Sequence, residues 1–474
     1  MDIFLRRGTL WLRHKWDLVL VVGLAVLIFA LQVWYLRLAA APYTDESIYA
    51  QAGRMMFLQG YVPYKDFALP HPPLLALFSG VGFWIFHSMF PARVVYLFLN
   101  CASLLPLYLL LKHLSKQRVA ALAAVLFYAT YSDMVHHDWR FLALRQLSNV
   151  FLIMFLYFGI VQPTKKSGFW WQLAFALGSV LTFLQTAFNL AVVSLALIFS
   201  RPNGERRSAF FRYAKIGGGA LMALLLLFLL IPQSLDMLIL THLGERLGNG
   251  VGRIDRMLNA ARVLDGYFYV LGTASLLAGL LFLKNLRWYL LAMLAMIIGV
   301  SIPREFWTHY YVIAGPAFAC GIMCFCLLIR RFLTNRLLWV GYVLVGMAVA
   351  YQLWLNVPGL WSEWMHNVNP QYYELAARVS TSANPILTFT QPIYAVDADR
   401  DIAYYYYATE ARVLPSLSAD EFSSLASQAC LILLSGRDLG FVPQDIQDTW
   451  ARIYTSVPWN GEEKIFVTHN PQCQ

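Results

Sequence analysis

The sequence predicts a polytopic α-helical membrane protein with a small α/β domain at its C-terminal end, outside the membrane. Three observations carry that prediction. The chain is 59% hydrophobic and only 13% charged, whereas soluble domains hold roughly 25% charged residues. Apolar runs of spanning length recur between residues 17 and 357. From about Trp361 the composition changes to spaced acids, prolines and shorter apolar runs.

The charges say how the spans are oriented. A net charge of +10 could indicate a nucleic-acid partner, but the basic residues do not form one surface. They cluster in short links: Arg6-Arg7 with Arg13 and Lys15, Lys112 to Arg118, Lys165-Lys166, Arg201 to Lys215, Lys284 to Arg287, and Arg330 to Arg336. Short basic links between apolar runs are a cytoplasmic signature, with a smaller share left for lipid phosphates. Met1 to Lys15 resembles the start of a signal peptide. The apolar run after it is too long for one and shows no small-residue cleavage site, so it is read as an uncleaved first span.

That first span runs from about Leu18 to Ala41 with one polar interruption at Gln32. Further runs lie near 91–111, 119–131, 141–161, 169–184, 187–200, 214–232, 267–283, 287–302, 308–329 and 337–357, giving about eleven spans. One more run, Leu74 to Phe90, would invert every later basic link if it crossed. It is therefore read as a re-entrant or surface-lying helix, opened by Pro72-Pro73, where missing N–H groups cost nothing. This topology gathers the ionisable residues on the outer face: the first outer loop 42–90, the loop 131–140, the loop 232–265, the turn 303–310, and everything beyond about Val357.

Two domains follow, 1–360 in the membrane and 361–474 outside it. In the second, Pro385 to Phe389 and Cys430 to Leu434 read as buried strands. Tyr372 to Ser380 and Ala419 to Ser427 read as helices, the latter capped by Ser418. No Gly-rich phosphate loop and no Gly-x-Ser-x-Gly elbow occurs there, so its expected role is a lid or an acceptor-recognition module. Cys320, Cys324 and Cys326 lie on one apolar run without a His or carboxylate to complete a metal set, and are read as small core residues. Cys430 and Cys473 could be either paired or free in an oxidising compartment.

The candidate chemistry begins with Asp45-Glu46, directly after the first span. Alone, the pair could simply stabilise the N-terminus of a helix starting near Ser47. Its company points further, because Tyr49, Arg54, Asp66 and His71 follow in the same loop. Adjacent side chains on a helix point differently, so the two acids cannot share one role.

The order of first span, Asp45-Glu46, an outer loop with amphipathic helices, and His71-Pro-Pro-Leu resembles the dolichyl-phosphate-mannose protein mannosyltransferases. It is similar more widely to the GT-C class of polyprenyl-phosphate-dependent glycosyltransferases. Arg304, four intervening residues, then His309-Tyr310 resembles that class's late outer loop. The resemblance implies a GT-C fold, a polyprenyl-phosphate sugar donor, and Asp45 as catalytic base with Glu46 beside it, more as a holder of the loop. It also implies a bacterial inner or plasma membrane with the site outside, and acceptors that are glycans, lipids or proteins. The run after Leu74 lacks the Gly-Lys of the protein mannosyltransferases, and their large inserted outer domain is absent.

The residues suit inverting transfer, which needs a carboxylate for the acceptor proton and cations for the departing lipid phosphate. Arg304 with His309 and Tyr310 is the first choice for that phosphate, because Arg binds phosphate oxygens with a planar fork. Arg253 is a further choice, on a stretch with Arg256 and Arg262 that also reads as an amphipathic surface helix. Asp66, His71, Asp138 and Arg140 are expected to position the acceptor or the loop. His136-His137-Asp138 suggests a metal, but adjacent histidines seldom converge on one ion. No metal site is assigned and no cofactor is required, although a divalent cation shared with Asp45 stays open. The rival classes are a transporter or flippase of lipid-linked sugars, and a polysaccharide polymerase or ligase.

Overall fold

The computed structural model describes residues 2–38, 44–67, 71–131, 141–163, 166–241, 266–300, 308–333 and 338–366, with C-terminal segments 386–388, 431–435, 444–459 and 463–468 and a few single positions. The chain divides into two compact units. One comprises Met1–Trp34, Val95–Leu230 and Ile239–Glu363; the other Tyr35–Val94, Ile231–Leu238 and Trp364–Gln474.

The first unit is helical. Its elements are α1 (Asp2–Leu38), most of α4 (Met89–Ser115), α5 (Arg118–Thr130), α6 (Leu144–Ile160), α7 (Lys166–Thr182), α8 (Thr186–Phe199), α9 (Asn203–Leu230), α10 (Gly266–Phe282), α11 (Arg287–Val300), α12 (Gly315–Phe332) and most of α13 (Leu338–His366). Over their described residues, the apolar runs of the sequence thus lie largely in helix. Four segments among the described residues are long and apolar enough to cross a bilayer: Lys15–Trp34, Met89–Ser115, Asn203–Leu230 and Tyr311–Phe332. α10 and α11 meet at a bend of 109° and would together make a fifth. Others are short. α5 has 13 residues, about 20 Å at 1.5 Å per residue, less than the ~30 Å hydrocarbon core.

Three helix boundaries differ from the edges of the apolar runs. The first helix begins at Asp2, well before the apolar run that starts at Leu18; its charged start contains no proline, and its Asp17 is paired. Asp17 is fully buried and accepts from Tyr108 Oη and from Lys112 Nζ, with Arg118 Nε at 3.6 Å. The ninth helix likewise starts at Asn203, absorbing most of a basic link read as a loop. The run 308–329 is not one helix. Thr308–Ala314 is a 3-10 helix and the α-helix starts at Gly315, with Pro316 in its first turn, where a missing N–H is tolerated.

Close approach sets the core of this unit. A Cβ on Gly321 of α12 would strike the Gly272 backbone of α10, so the two helices pack backbone to backbone. The amides of α13 finish α5: Gln352 Nε2 donates to the Phe127 carbonyl at 2.9 Å and Asn356 Nδ2 to the Thr130 carbonyl at 2.6 Å. Those carbonyls belong to the last turn of α5, which has no intrahelical donor for them. In an apolar surrounding each would otherwise be costly.

The second unit contains α2 (Thr44–Leu58) and α3 (Leu74–Phe86). α3 starts immediately after Pro72-Pro73 and stops at His87 in a left-handed conformation (φ 50°). At 13 residues it is too short to cross, and Val81, Trp84, Ile85 and Phe86 are exposed. Further along the same unit, β1 (Ile386–Thr388), β2 (Leu431–Ser435), β3 (Tyr454–Trp459) and β4 (Glu463–Thr468) form a sheet in the order β1-β2-β4-β3. The β1–β2 pair is parallel and the other two are antiparallel, with Ile432 opposite Phe466 and Val457 opposite Ile465. α14 (Gln444–Ile453) precedes β3 and buries Ile446 and Trp450. The expected helix 372–380, and most of 419–427, lie outside the described residues.

Candidate active site

The loop 42–90 is built around α2. Asp45 is its second residue, where the unpaired N–H groups of a helix N-terminus favour negative charge. Glu46 is fully buried and takes both nitrogens of a fork. Arg93 Nε lies 3.0 and 3.1 Å from its two oxygens, and Arg93 Nη2 lies 2.6 Å from Oε2. Arg93, on the first turns of α4, is itself buried. This two-pronged pair ties the start of α2 to the start of α4. Removing one partner of a buried pair costs about 3–5 kcal/mol.

Gly53 and Gly80 let α2 and α3 touch. A Cβ at Gly53 would run into the Ala76 carbonyl, and one at Gly80 into the Phe57 ring. Ser79 Oγ of α3 lies 2.8 Å from the Tyr49 carbonyl and 2.9 Å from the Ala76 carbonyl. The link between the helices contains a tight turn at 62–67. Asp66 is exposed and uses its carboxylate on the Val62 N–H at 2.7 Å, while its own N–H reaches the Val62 carbonyl at 2.9 Å. Tyr64 sits at φ 69°, a strained conformation for a bulky residue. Its phenol is buried and donates to the His71 carbonyl at 2.7 Å, and burial pushes its pKa well above the ordinary value. The buried His71 ring faces Tyr49, centroids 6.1 Å apart. Asp66 and His71 therefore shape the loop, one from its surface and one from its interior.

Gln51 adds a residue that sequence reasoning passed over. It is 1% exposed, and neither its Oε1 nor its Nε2 has a partner among the described residues. A buried amide left unmade costs about 1–3 kcal/mol. Only its place on the helix of Asp45 could have flagged it. Arg93 was missed because its partner stands 47 residues away. The available signal was a lone arginine at the mouth of an apolar run.

The late turn is built differently. His309 and Tyr310 belong to the 3-10 helix Thr308–Ala314. Asn149 of α6 anchors this helix, donating from Nδ2 to the Val312 carbonyl at 2.5 Å. A buried aromatic cluster surrounds it. Tyr311 and Tyr269 lie 4.7 Å apart by ring centroid, Tyr269 and Phe318 4.8 Å, and Tyr131 and Phe268 5.1 Å. Arg304, Arg253, Asp138 and Arg140 lie outside the described residues, as do His136 and His137.

Comparison with known proteins places this architecture. No protein-family model matches the chain, and no curated protein matches its sequence. Solved structures do. ArnT from Cupriavidus metallidurans bound to undecaprenyl phosphate superposes with a TM-score of 0.64 at 13% identity, covering 97% of this chain and 99% of that one. The same protein in its apo state gives 0.57 at 14% identity, covering 96% and 98%. The archaeal oligosaccharyltransferase AglB from Archaeoglobus fulgidus, in complex with an inhibitory peptide and a dolichol-phosphate, gives 0.56 at 12% identity, covering 94% and 73%. The chain is a polytopic helical membrane protein with the GT-C fold that these structures share.

Proposed function

We propose that the chain is an inverting glycosyltransferase that moves a monosaccharide from a polyprenyl-phosphate carrier to an acceptor on the extracytoplasmic face. The observation that carries this reading is the division of labour in the acidic pair. Glu46 is committed to Arg93, so the base role falls to Asp45, its neighbour at the N-terminus of α2. Two solved structures of the same fold hold a polyprenyl-type phosphate, which supports that donor class.

The chemistry balances without a further reactant. The acceptor oxygen or nitrogen attacks the sugar's anomeric carbon and its proton passes to the Asp45 carboxylate. The bond from that carbon to the phosphate oxygen breaks on the opposite side, and polyprenyl phosphate leaves. Configuration inverts once. Charge grows on the leaving phosphate, where preorganised donors contribute most. Arg304, His309 and Tyr310 are assigned to it, with Arg253 as a further donor. Asp66 and His71 shape the loop, and Asp138 and Arg140 bear on the acceptor. The proposal includes about eleven spans, and places residues 361–474 outside the membrane as an α/β lid or acceptor module. The membrane would be a bacterial plasma membrane, and the sugar a hexose or a pentose.

The test uses the purified full chain in vesicles with a sugar-charged polyprenyl phosphate and a crude lipid or glycan acceptor fraction. Release of free polyprenyl phosphate, lost on Asp45→Asn, is the expected result. Movement of the intact sugar-lipid across the vesicle with no free polyprenyl phosphate formed would replace the transferase by a flippase.

A further inference from the structure

Within the helical unit, α7, α8 and α9 enclose a groove of about 430 Å³, inside the size range of small-molecule sites, roughly 300–1,000 Å³. Its lining shares no residue with the candidate active site. The walls are apolar apart from Ser194 and Tyr213, and the Tyr213 hydroxyl is engaged by Gln172 Nε2 at 3.4 Å. Small residues make the space: Ala191, Ala214, Gly217 and Ala220 all face it. At Gly217 a Cβ would meet nothing within 4 Å. The rim is open rather than sealed, since Leu195, Phe210 and Leu221 are each more than half exposed. On a helix lying in a bilayer, such a rim faces lipid chains.

One end of the groove is cationic. Its α9 stripe runs through Leu224, Leu221, Gly217, Ala214 and Phe210, and one turn further along the same face is Arg206. Arg206 is held in place by the end of α8: its Nε donates to the Arg201 carbonyl at 3.1 Å and its Nη2 to the Phe199 carbonyl at 3.3 Å. Its Nη1 has no protein partner among the described residues. Arg207 follows, exposed, with its guanidinium 6.0 Å from the Phe211 ring. Between residues 200 and 216, Arg201, Arg206, Arg207, Arg212 and Lys215 face one acid, Glu205. Arg201 and Arg212 are engaged with the Gly159 carbonyl and with Gln172.

An apolar channel open to the bilayer, with Arg206 one turn beyond its end and Arg207 next to it in the chain, fits one ligand chemistry, an acyl chain with an anionic phosphate at its head. We propose that this groove binds an anionic glycerophospholipid, one acyl chain lying along α9 and its phosphate on Arg206 and Arg207. The bound chain would fill the space between α8 and α9 and so stiffen α9, which is otherwise largely exposed. The site is independent of the transferase reading.

The test titrates phosphatidylglycerol, phosphatidylcholine and undecaprenyl phosphate separately into the delipidated full chain, followed by mass spectrometry of the intact complexes. Phosphatidylglycerol should bind once and more tightly than phosphatidylcholine. Arg206→Gln with Arg207→Gln should weaken phosphatidylglycerol roughly tenfold or more, to the level of phosphatidylcholine, as expected for lost charge-assisted bonds. Gly217→Leu should weaken both phospholipids by filling the groove. That variant is expected to fold, because leucine is the better helix former and the space is empty. Phosphatidylglycerol affinity unchanged in both variants overturns the site. Undecaprenyl phosphate outcompeting phosphatidylglycerol, with the same sensitivity to Gly217→Leu, overturns the choice of a glycerophospholipid.

Discussion

The loop 42–90 and the turn at 308–314 both carry candidate chemistry, yet they are held by opposite means. α2 is fastened by a buried ion pair, Glu46 with Arg93, and by a strained turn at Tyr64. The turn at 308–314 is fastened by a neutral amide, Asn149, and by packed aromatic rings. A buried ion pair gives a fixed direction at a high cost of desolvation. Neutral amides and rings give position at lower cost and place no charge nearby. Of these two regions, this protein places buried charge beside the helix that carries the candidate base, as it also does elsewhere at Asp17. Around the turn assigned to an anionic leaving group, it keeps the described supports neutral.

Five variants would break or sharpen that comparison. Asp45→Asn should have the largest effect on turnover, a loss of about 10²–10⁴-fold, the usual worth of a general base, with thermal unfolding in detergent unchanged. Equal turnover in that variant would sink the base assignment. Arg93→Ala should have the largest effect on stability, about 3–5 kcal/mol, read as a fall in unfolding midpoint. Replacing both partners, Glu46→Leu with Arg93→Leu, should recover most of the stability but not the activity. If activity returns as well, the pair has no role in aiming α2. Asn149→Ala should cost about 1–3 kcal/mol, by leaving the Val312 carbonyl unpaired, and should raise donor KM more than acceptor KM. An equal rise in both would detach the turn from the donor. Tyr64→Phe is the smallest, about 1 kcal/mol for one hydrogen bond, measured as faster hydrogen exchange in the 60–71 loop with little change in turnover.

Much of the helical layout was legible because long apolar runs have few alternatives in a bilayer. Pro72-Pro73 marked the start of α3 to the residue, since proline removes only N–H groups that a first turn does not use. The strands at 386–388 and 431–435 were legible from short apolar runs between turn residues. The β3–β4 pair carries a signal too, an Asn460-Gly461 step between two alternating runs. Helix ends were the weakest point. Asp17 looks like a terminator in one dimension and becomes a helix-interior residue only once Tyr108 and Lys112 close over it. The split at Gly315 was likewise invisible. It depends on Tyr128 and Tyr131, which would meet a Cβ there, and on Asn149 reaching Val312 from another helix.

The sequence by itself determined the class of solvent, the run of helices and the place of Asp45-Glu46 after the first span. Each of these follows from local composition, and the bilayer's demand that every backbone group be satisfied leaves few other solutions. Only the tertiary structure decided which acid of the pair is committed. Glu46 finds Arg93 across 47 residues of chain, and a partner that distant leaves no pattern in spacing or periodicity. It exists only because α2 and the first turns of α4 are folded against each other.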